Sequence, residues 1–204
     1  LFKPKDIVSG DFYYFHKNDK EVFIASADCT GHGVPGAFMS MIGSEKLDDA
    51  LVHSTDTSEI LSQLNKGIKN SLRQSDSIES TRDGMDIAIC SVDTISRVMK
   101  YAGANRPLWI IRNGKTIVEE IKATKTAIGG LTDDNQYFET HEIELQKGDT
   151  FYICSDGYAD QFSAQDKKLT TKKLKEILLS IQDKSMHEQE QHLDNFIENW
   201  KAGA

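Results

Sequence analysis

Three aspartates stand beside glycines where apolar runs begin or end: Asp11 in Ser9-Gly10-Asp11, Asp28 in Asp28-Cys29-Thr30-Gly31-His32-Gly33, and Asp156 in Ser155-Asp156-Gly157. Glycine lets the backbone approach a ligand closely, and a carboxylate at a strand end can point into a cleft shared by neighbouring strands. Hard divalent cations are bound by such oxygens, Mg²⁺ through one or two carboxylates plus waters, which leaves positions open for phosphate oxygens. Taken singly, each Asp-Gly pairing is more often a turn than a ligand. Asp86, which opens an apolar run after Asp83-Gly84-Met85, reads equally as a ligand of a third or peripheral cation in the same cleft and as a solvated turn aspartate. Asp160 reads as a turn residue.

The same segment carries two other groups of chemical interest. An imidazole in general changes charge near neutral pH, which suits His32 to a general acid, and a turn position set by the flanking glycines is the other reading. Cys29 raises a thiol-phosphatase mechanism, which needs an arginine six residues after the nucleophile to clamp the phosphate. That position is Pro35, and Cys90 and Cys154 are followed at the same spacing by Ser96 and Asp160. The thiols therefore read as small buried residues.

These residues need elements to hold them. Val22, Ile24 and Ser26 alternate with Phe23, Ala25 and Ala27 as a strand running into Asp28. Pro35 then opens a helix expected to reach Leu51. Ile60, Leu61, Leu64, Ile68 and Leu72 write a second helix after the capping stretch Asp56-Thr57-Ser58-Glu59. A polar loop is expected over Gln74 to Arg82. From Asp86 the period becomes two, with strands expected at Ile87 to Val92, Val98 to Ala102, Leu108 to Ile111, Ile117 to Ile121 and Thr150 to Cys154. Asn113-Gly114 signals a type I′ hairpin between two of them. Two closing helices follow, one on Leu174, Ile177, Leu178 and Ile181, the other on Leu193, Phe196, Ile197 and Trp200 with Ser185 and Glu188 as a capping box. The fold class is α+β, antiparallel sheet covered by helices.

Composition narrows the function classes. A net charge of −8 with no clustered basic stretch argues against nucleic acid as partner. No apolar run is long enough to span a bilayer and no signal peptide is evident, so the domain is expected to be cytoplasmic and to make no membrane contact. Three cysteines without a CxxC pair fit a reducing compartment better than a disulfide framework or thiolate zinc site. No GxxxxGK[ST] loop or base-stacking aromatic cluster is present, which disfavours a hydrolase of nucleotides or small phosphate esters.

In order and context, Ser9-Gly10-Asp11-Phe12-Tyr13, Ala27-Asp28-Cys29-Thr30-Gly31-His32-Gly33-Val34-Pro35-Gly36-Ala37 and Tyr152-Ile153-Cys154-Ser155-Asp156-Gly157 resemble the SpoIIE-type branch of the PP2C-like (PPM) bacterial serine/threonine protein phosphatases. Asp83-Gly84-Met85-Asp86, Tyr101-Ala102-Gly103-Ala104-Asn105, Ile128-Gly129 and Gly148-Asp149 supply further landmarks, so the likeness covers nearly the whole chain. The resemblance implies a central antiparallel β-sandwich flanked by helices, with two Mn²⁺ or Mg²⁺ ions at one end. It makes Asp11 and Asp28 metal-bridging, with catalysis through a metal-activated water, and adds the Cys29 backbone carbonyl as a donor and Asp156 as a ligand of one metal. It also implies a phosphorylated anti-sigma-antagonist-like regulator as substrate, and residues 1–204 as a domain of a larger signalling protein with an upstream sensor domain. A homodimer is left open.

Two departures from the family pattern stand out. Similar phosphatases end with an Asp-Asp or Asp-Asn pair that supplies a metal ligand ahead of a last strand. Here Asp194-Asn195 falls within a helical pattern, so either the sequence stops short of that pair or the protein lacks one ligand and one edge strand. The competing reading is accordingly a pseudophosphatase, an interaction module without turnover. Arg106 stands where similar sequences often carry a small residue or proline; it reads as a solvated loop arginine, with phosphoprotein docking as the other reading.

Overall fold

The computed structural model describes residues 1–75 and 80–202. The first strands, β1 (Asp11–Lys17) and β2 (Glu21–Cys29), form an antiparallel hairpin whose turn is closed by Asn18, its side-chain oxygen accepting from the Lys20 and Glu21 amides. Helices α1 (Gly33–His53) and α2 (Thr57–Ser71) follow, α2 capped by Asp56, which accepts from the Glu59 amide at 3.1 Å. The chain then makes β3 (Gly84–Asp93) and β4 (Val98–Ala104), joined by a turn in which Asp93 accepts from the Ile95 and Ser96 amides. Next come β5 (Leu108–Ile111), β6 (Glu119–Ile121), β7 (Ile128–Gly129), β8 (Thr140–Glu144) and β9 (Thr150–Tyr152). Helices α3 (Thr171–Ser180) and α4 (Met186–Ala202) close the described chain. Ser185 and Glu188 cap α4 reciprocally, the Ser185 amide donating to Glu188 at 2.8 Å and the Glu188 amide donating back to the Ser185 hydroxyl.

Two antiparallel sheets result, the larger in the order β1-β2-β3-β4-β8 with β7 on β3, the smaller β6-β5-β9. Strand alternation sorts their faces. Phe23, Ala25, Ala27, Cys29, Met85, Ile87 and Ile89 pack with Leu47, Ile60, Leu61 and Leu64 into the core beneath α1 and α2. Residues of the opposite face, among them Ala88, Cys90, Met99 and Tyr101, meet Leu108 and Ile110 of the smaller sheet. Trp109 and Ile111 point the other way, onto Leu174, Leu178 and Ile181. The molecule is thus a β-sandwich between two helical layers, as the resemblance implies. No helix of the described residues is long and apolar enough to cross a membrane.

Where the structure differs, long-range contacts are the reason. The expected type I′ hairpin at Asn113-Gly114 is a longer connection: Lys115 closes a turn onto the Arg112 carbonyl, only Gly114 takes a positive φ (72°), and Ile117 lies outside β6. Asp149 accounts for this, since it accepts from Arg112 at 2.7 Å and from the Asn113 amide at 3.0 Å and draws the turn toward the β8–β9 loop. Strand β1 is expected only as a strand end at Asp11, without bounds, and β7 and β8 are not among the expected runs. The last two are short, and β8 buries only Ile143. Of the loop expected over Gln74 to Arg82, the described residues carry no helix or strand, and residues 76–79 lie outside the described residues.

Candidate active site: an aspartate row closed by an arginine

Asp11 opens β1, Asp28 lies next to the end of β2, and Asp86 is near the start of β3. The register places Asp11 opposite Asp28 and Asp28 opposite Asp86. Residues directly opposite in antiparallel strands share a face, with Cβ atoms about 5 Å apart. Three carboxylates therefore line up across three strands, on the face turned toward the smaller sheet and at its open end. Asp156 arrives from that other sheet, on the turn after β9 that the Asp160 amide closes onto the Asp156 carbonyl.

Arg106, just ahead of β5, bridges the two groups. Its Nη2 donates to Asp28 at 2.7 Å and to Asp156 at 2.8 Å, and lies 3.3 Å from Asp86. Its side chain is only 15% exposed, so the expected solvated loop arginine is in fact the centre of the cluster. The local backbone explains why. Asn105 turns the chain through a left-handed conformation (φ 60°) and donates from its own side chain to Asp86 at 2.8 Å, while the buried Tyr101 hydroxyl donates to the Arg106 carbonyl at 2.6 Å. Asn105 was the one available signal, because asparagine tolerates the left-handed region. The direction of the turn could not be read from it.

Three carboxylates share this one guanidinium and Asp11 stands beside Asp28, so negative charge is in excess. Burial pushes the Asp28 carboxyl up to about 7, the charges of Asp11, Asp156 and Asp86 add to the effect, and Arg106 opposes it. On Arg106 burial favours the neutral form, but the Asp156 hydrogen bond and the charges of Asp28, Asp156 and Asp86 outweigh it and raise its pKa. Its Nε is buried without an acceptor.

The turn after Asp28 is held by backbone contacts. Thr30 donates from its amide to the Gly84 carbonyl at 2.9 Å and from its hydroxyl to Asp83, and the Gly84 amide donates back to that hydroxyl. The Gly31 carbonyl is wedged between Gly10 and Gly36 so tightly that a Cβ on either would lie 2.6 or 2.7 Å from it. Cys29 points its side chain into the helical layer, where burial and then the charges of Asp11 and Asp28 push its thiol up to about 12. A thiolate nucleophile is therefore disfavoured at neutral pH. His32 is 85% exposed and sits 3.9 Å from Asp6, Asp160 pairs with Lys168, and Asp194 pairs with Lys3. A cleft of about 500 Å³ opens beside Asp28 and Asp86, walled by Arg82, Met85 and the segment Thr126–Thr132.

The donor set suits a hard divalent cation, being carboxylates with one positive group already seated among them. As the side chains stand, with Arg106 inside, no three acidic, histidine or cysteine residues among those described enclose a common point.

Residues 18–203 match the profile of the family Stage II sporulation protein E (SpoIIE). The phosphoserine phosphatase RsbU of Bacillus subtilis is 28% identical over 162 residues, 77% of this chain and 44% of that protein, so the chain spans under half the length of this relative. The SiaA-PP2C domain of Pseudomonas aeruginosa superposes with a TM-score of 0.86 at 28% identity, over 99% of this chain and 78% of that one. RsbX, solved in complex with magnesium, shares the fold at 17% identity and a TM-score of 0.67, over 99% of this chain and 85% of that one. On the family match, supported by the sandwich architecture, this chain belongs to the SpoIIE family of PP2C-type serine phosphatases.

Proposed function

We propose that the domain hydrolyses phosphoserine or phosphothreonine on a regulatory protein with the help of two divalent cations, Mn²⁺ or Mg²⁺. The observation that carries this reading is the row Asp11–Asp28–Asp86 in register across three strands, met by Asp156 from the opposite sheet. Asp11 and Asp28 would bridge the cations, Asp156 and the Cys29 carbonyl would complete their protein donors, and Asp86 would hold a peripheral one. Such cations supply an acidified water as nucleophile and neutralise charge on the phosphoryl group. The protein's own part is to hold the carboxylates on a rigid sheet end, with the glycine-packed turn fixing the Cys29 carbonyl, and to offer the adjoining cleft to the residues flanking the phosphoserine. The buried neutral thiol of Cys29 takes no part.

The acidic surface and the phosphatase relatives support a phosphorylated regulator of the anti-sigma-antagonist type as substrate, in a cytoplasmic pathway with a sensor domain in the same polypeptide. Incubating the domain and Mn²⁺ with each phosphorylated regulator of this type from the same genome should give phosphate release at least tenfold faster than from an unrelated phosphopeptide, and Asp28→Asn should abolish it. If none is turned over, the substrate class is wrong. A pseudophosphatase that binds the regulator without turnover is favoured by one observation, the occupation of the aspartates by Arg106. Tight regulator binding with no phosphate release at any Mn²⁺ concentration would establish it.

A further inference from the structure

We propose that Arg106 is an internal counter-ion of the metal-free site: its guanidinium holds Asp28, Asp86 and Asp156 together and must withdraw for divalent cations to bind, so that it sets the concentration at which the site loads. This rests on the cation-dependent reading above.

The argument begins from how the guanidinium is bonded. Arginine normally meets carboxylates through a planar fork of two parallel N–H donors. Here a single nitrogen, Nη2, faces Asp28, Asp86 and Asp156 at 2.7, 3.3 and 2.8 Å, although it has only two hydrogens to give. Meanwhile Nε is buried without any acceptor. The group therefore stands where the negative charge is densest, at the cost of its own hydrogen bonding. Such an arrangement is held by charge more than by geometric fit, and a more concentrated charge can displace it.

The backbone allows a side-chain movement without refolding. The Arg106 carbonyl is fixed by Tyr101, and the Asn105 amide donates to the Thr124 carbonyl at 2.9 Å. The Cα is thus anchored while the long side chain rotates. Asn105 keeps its own bond to Asp86, so Asp86 does not lose every partner when the guanidinium leaves. Asp156, 54% exposed, is the partner nearest solvent and marks the side toward which the guanidinium can withdraw.

The consequence is thermodynamic. A site competent for cations only in the fraction of molecules with Arg106 withdrawn binds them more weakly by that fraction. A hydrogen bond to a charged group contributes enough to place this fraction at about one in ten to one in a hundred. Removing the guanidinium should therefore tighten cation binding about tenfold to a hundredfold. The same change should loosen the metal-free protein, whose clustered carboxylates then lack their counter-ion.

Arg106→Met, close in length and without charge, tests both halves. Isothermal titration with Mn²⁺ should give a Kd about tenfold or more below wild type, and in chelator the variant should melt below wild type. Equal or weaker Mn²⁺ affinity in the variant leaves the cation reading standing and overturns the role given to Arg106. Absence of Mn²⁺ binding in both proteins overturns the cation reading and this inference with it. Should Arg106→Met fail to fold, the wild-type protein carries the test: the Arg106 Nε–H cross-peak should shift during a Mg²⁺ titration and saturate with the binding isotherm. A cross-peak unmoved at saturation would show that the guanidinium stays in place.

Discussion

Two helical glycines allow the close packing behind the aspartate row to be tested against an internal control. A Cβ on Gly36, in the first turn of α1, would lie 2.7 Å from the Gly31 carbonyl oxygen and 3.0 Å from the Gly10 Cα, backbone atoms that cannot rotate away. To reach an ordinary contact of 3.4 Å the oxygen must retreat by about 0.7 Å. That oxygen belongs to the turn that follows Asp28 and Cys29, and Gly10 directly precedes Asp11. Overpacking of this kind costs about 1–3 kcal/mol, against a helix-propensity gain of at most about 1 kcal/mol for Gly→Ala. Gly36→Ala should therefore be destabilised by about 1–2 kcal/mol, a fall in Tm of about 2–8 °C for a domain of this size. The three atoms nearest a Cβ on Gly67 in α2 all belong to the Lys46 side chain, at 3.2–3.3 Å. Most of that side chain can swing aside, so Gly67→Ala should keep the propensity gain and melt at or slightly above wild type. Calorimetry of both variants in chelator, followed by Mn²⁺ titration, separates the effects: only Gly36→Ala should lose stability and cation affinity together. If Gly36→Ala melts at or above wild type with unchanged affinity, the wedge at Gly31 does not position the site.

Three further expectations concern single groups. The Asp149 side chain, 2% exposed, accepts from Arg112 and from the Gln146 and Asn113 amides, so Asp149→Ala should cost about 3 kcal/mol and lower Tm markedly, as thermal unfolding will show. Burial alone would raise its pKa, but those hydrogen bonds hold it below the ordinary value, so its contribution is complete above about pH 4 and lost as pH falls through the depressed value; the Tm of wild type should drop more steeply than that of Asp149→Asn across this window, and parallel curves would contradict the assignment. Tyr101→Phe removes the donor to the Arg106 carbonyl and should cost about 1–2 kcal/mol by denaturant unfolding, with no loss if water replaces the hydroxyl. Cys29→Ala should keep most phosphatase activity, with chelator abolishing turnover and thiol alkylation sparing it; the reverse pattern would restore a cysteine mechanism.

Local signals in this sequence were enough for the elements that carry the motifs. The alternation through Phe23, Ala25 and Ala27 yields β2, Asp56 and Ser185 mark the starts of α2 and α4, and the glycine-flanked aspartates stand out because turns and close approaches leave a compositional trace. Such features depend on neighbours within a few positions, which is what a single sequence displays. Strand register depends on residues far apart in the chain: Asp11, Asp28 and Asp86 share a row because the helical-layer core accepts only one alternation of β1, β2 and β3, and the sandwich core fixes β3 from its other face. The hairpin at Asn113-Gly114 yielded to a distant carboxylate, Asp149, for the same reason. Arg106 is the sharpest case. Apart from the neighbouring Asn105, nothing local distinguishes it from a solvated arginine, and its place among three aspartates is decided by the left-handed turn at Asn105, a buried Tyr101 hydroxyl and the packing of one sheet on another, contacts that exist only once the chain has folded.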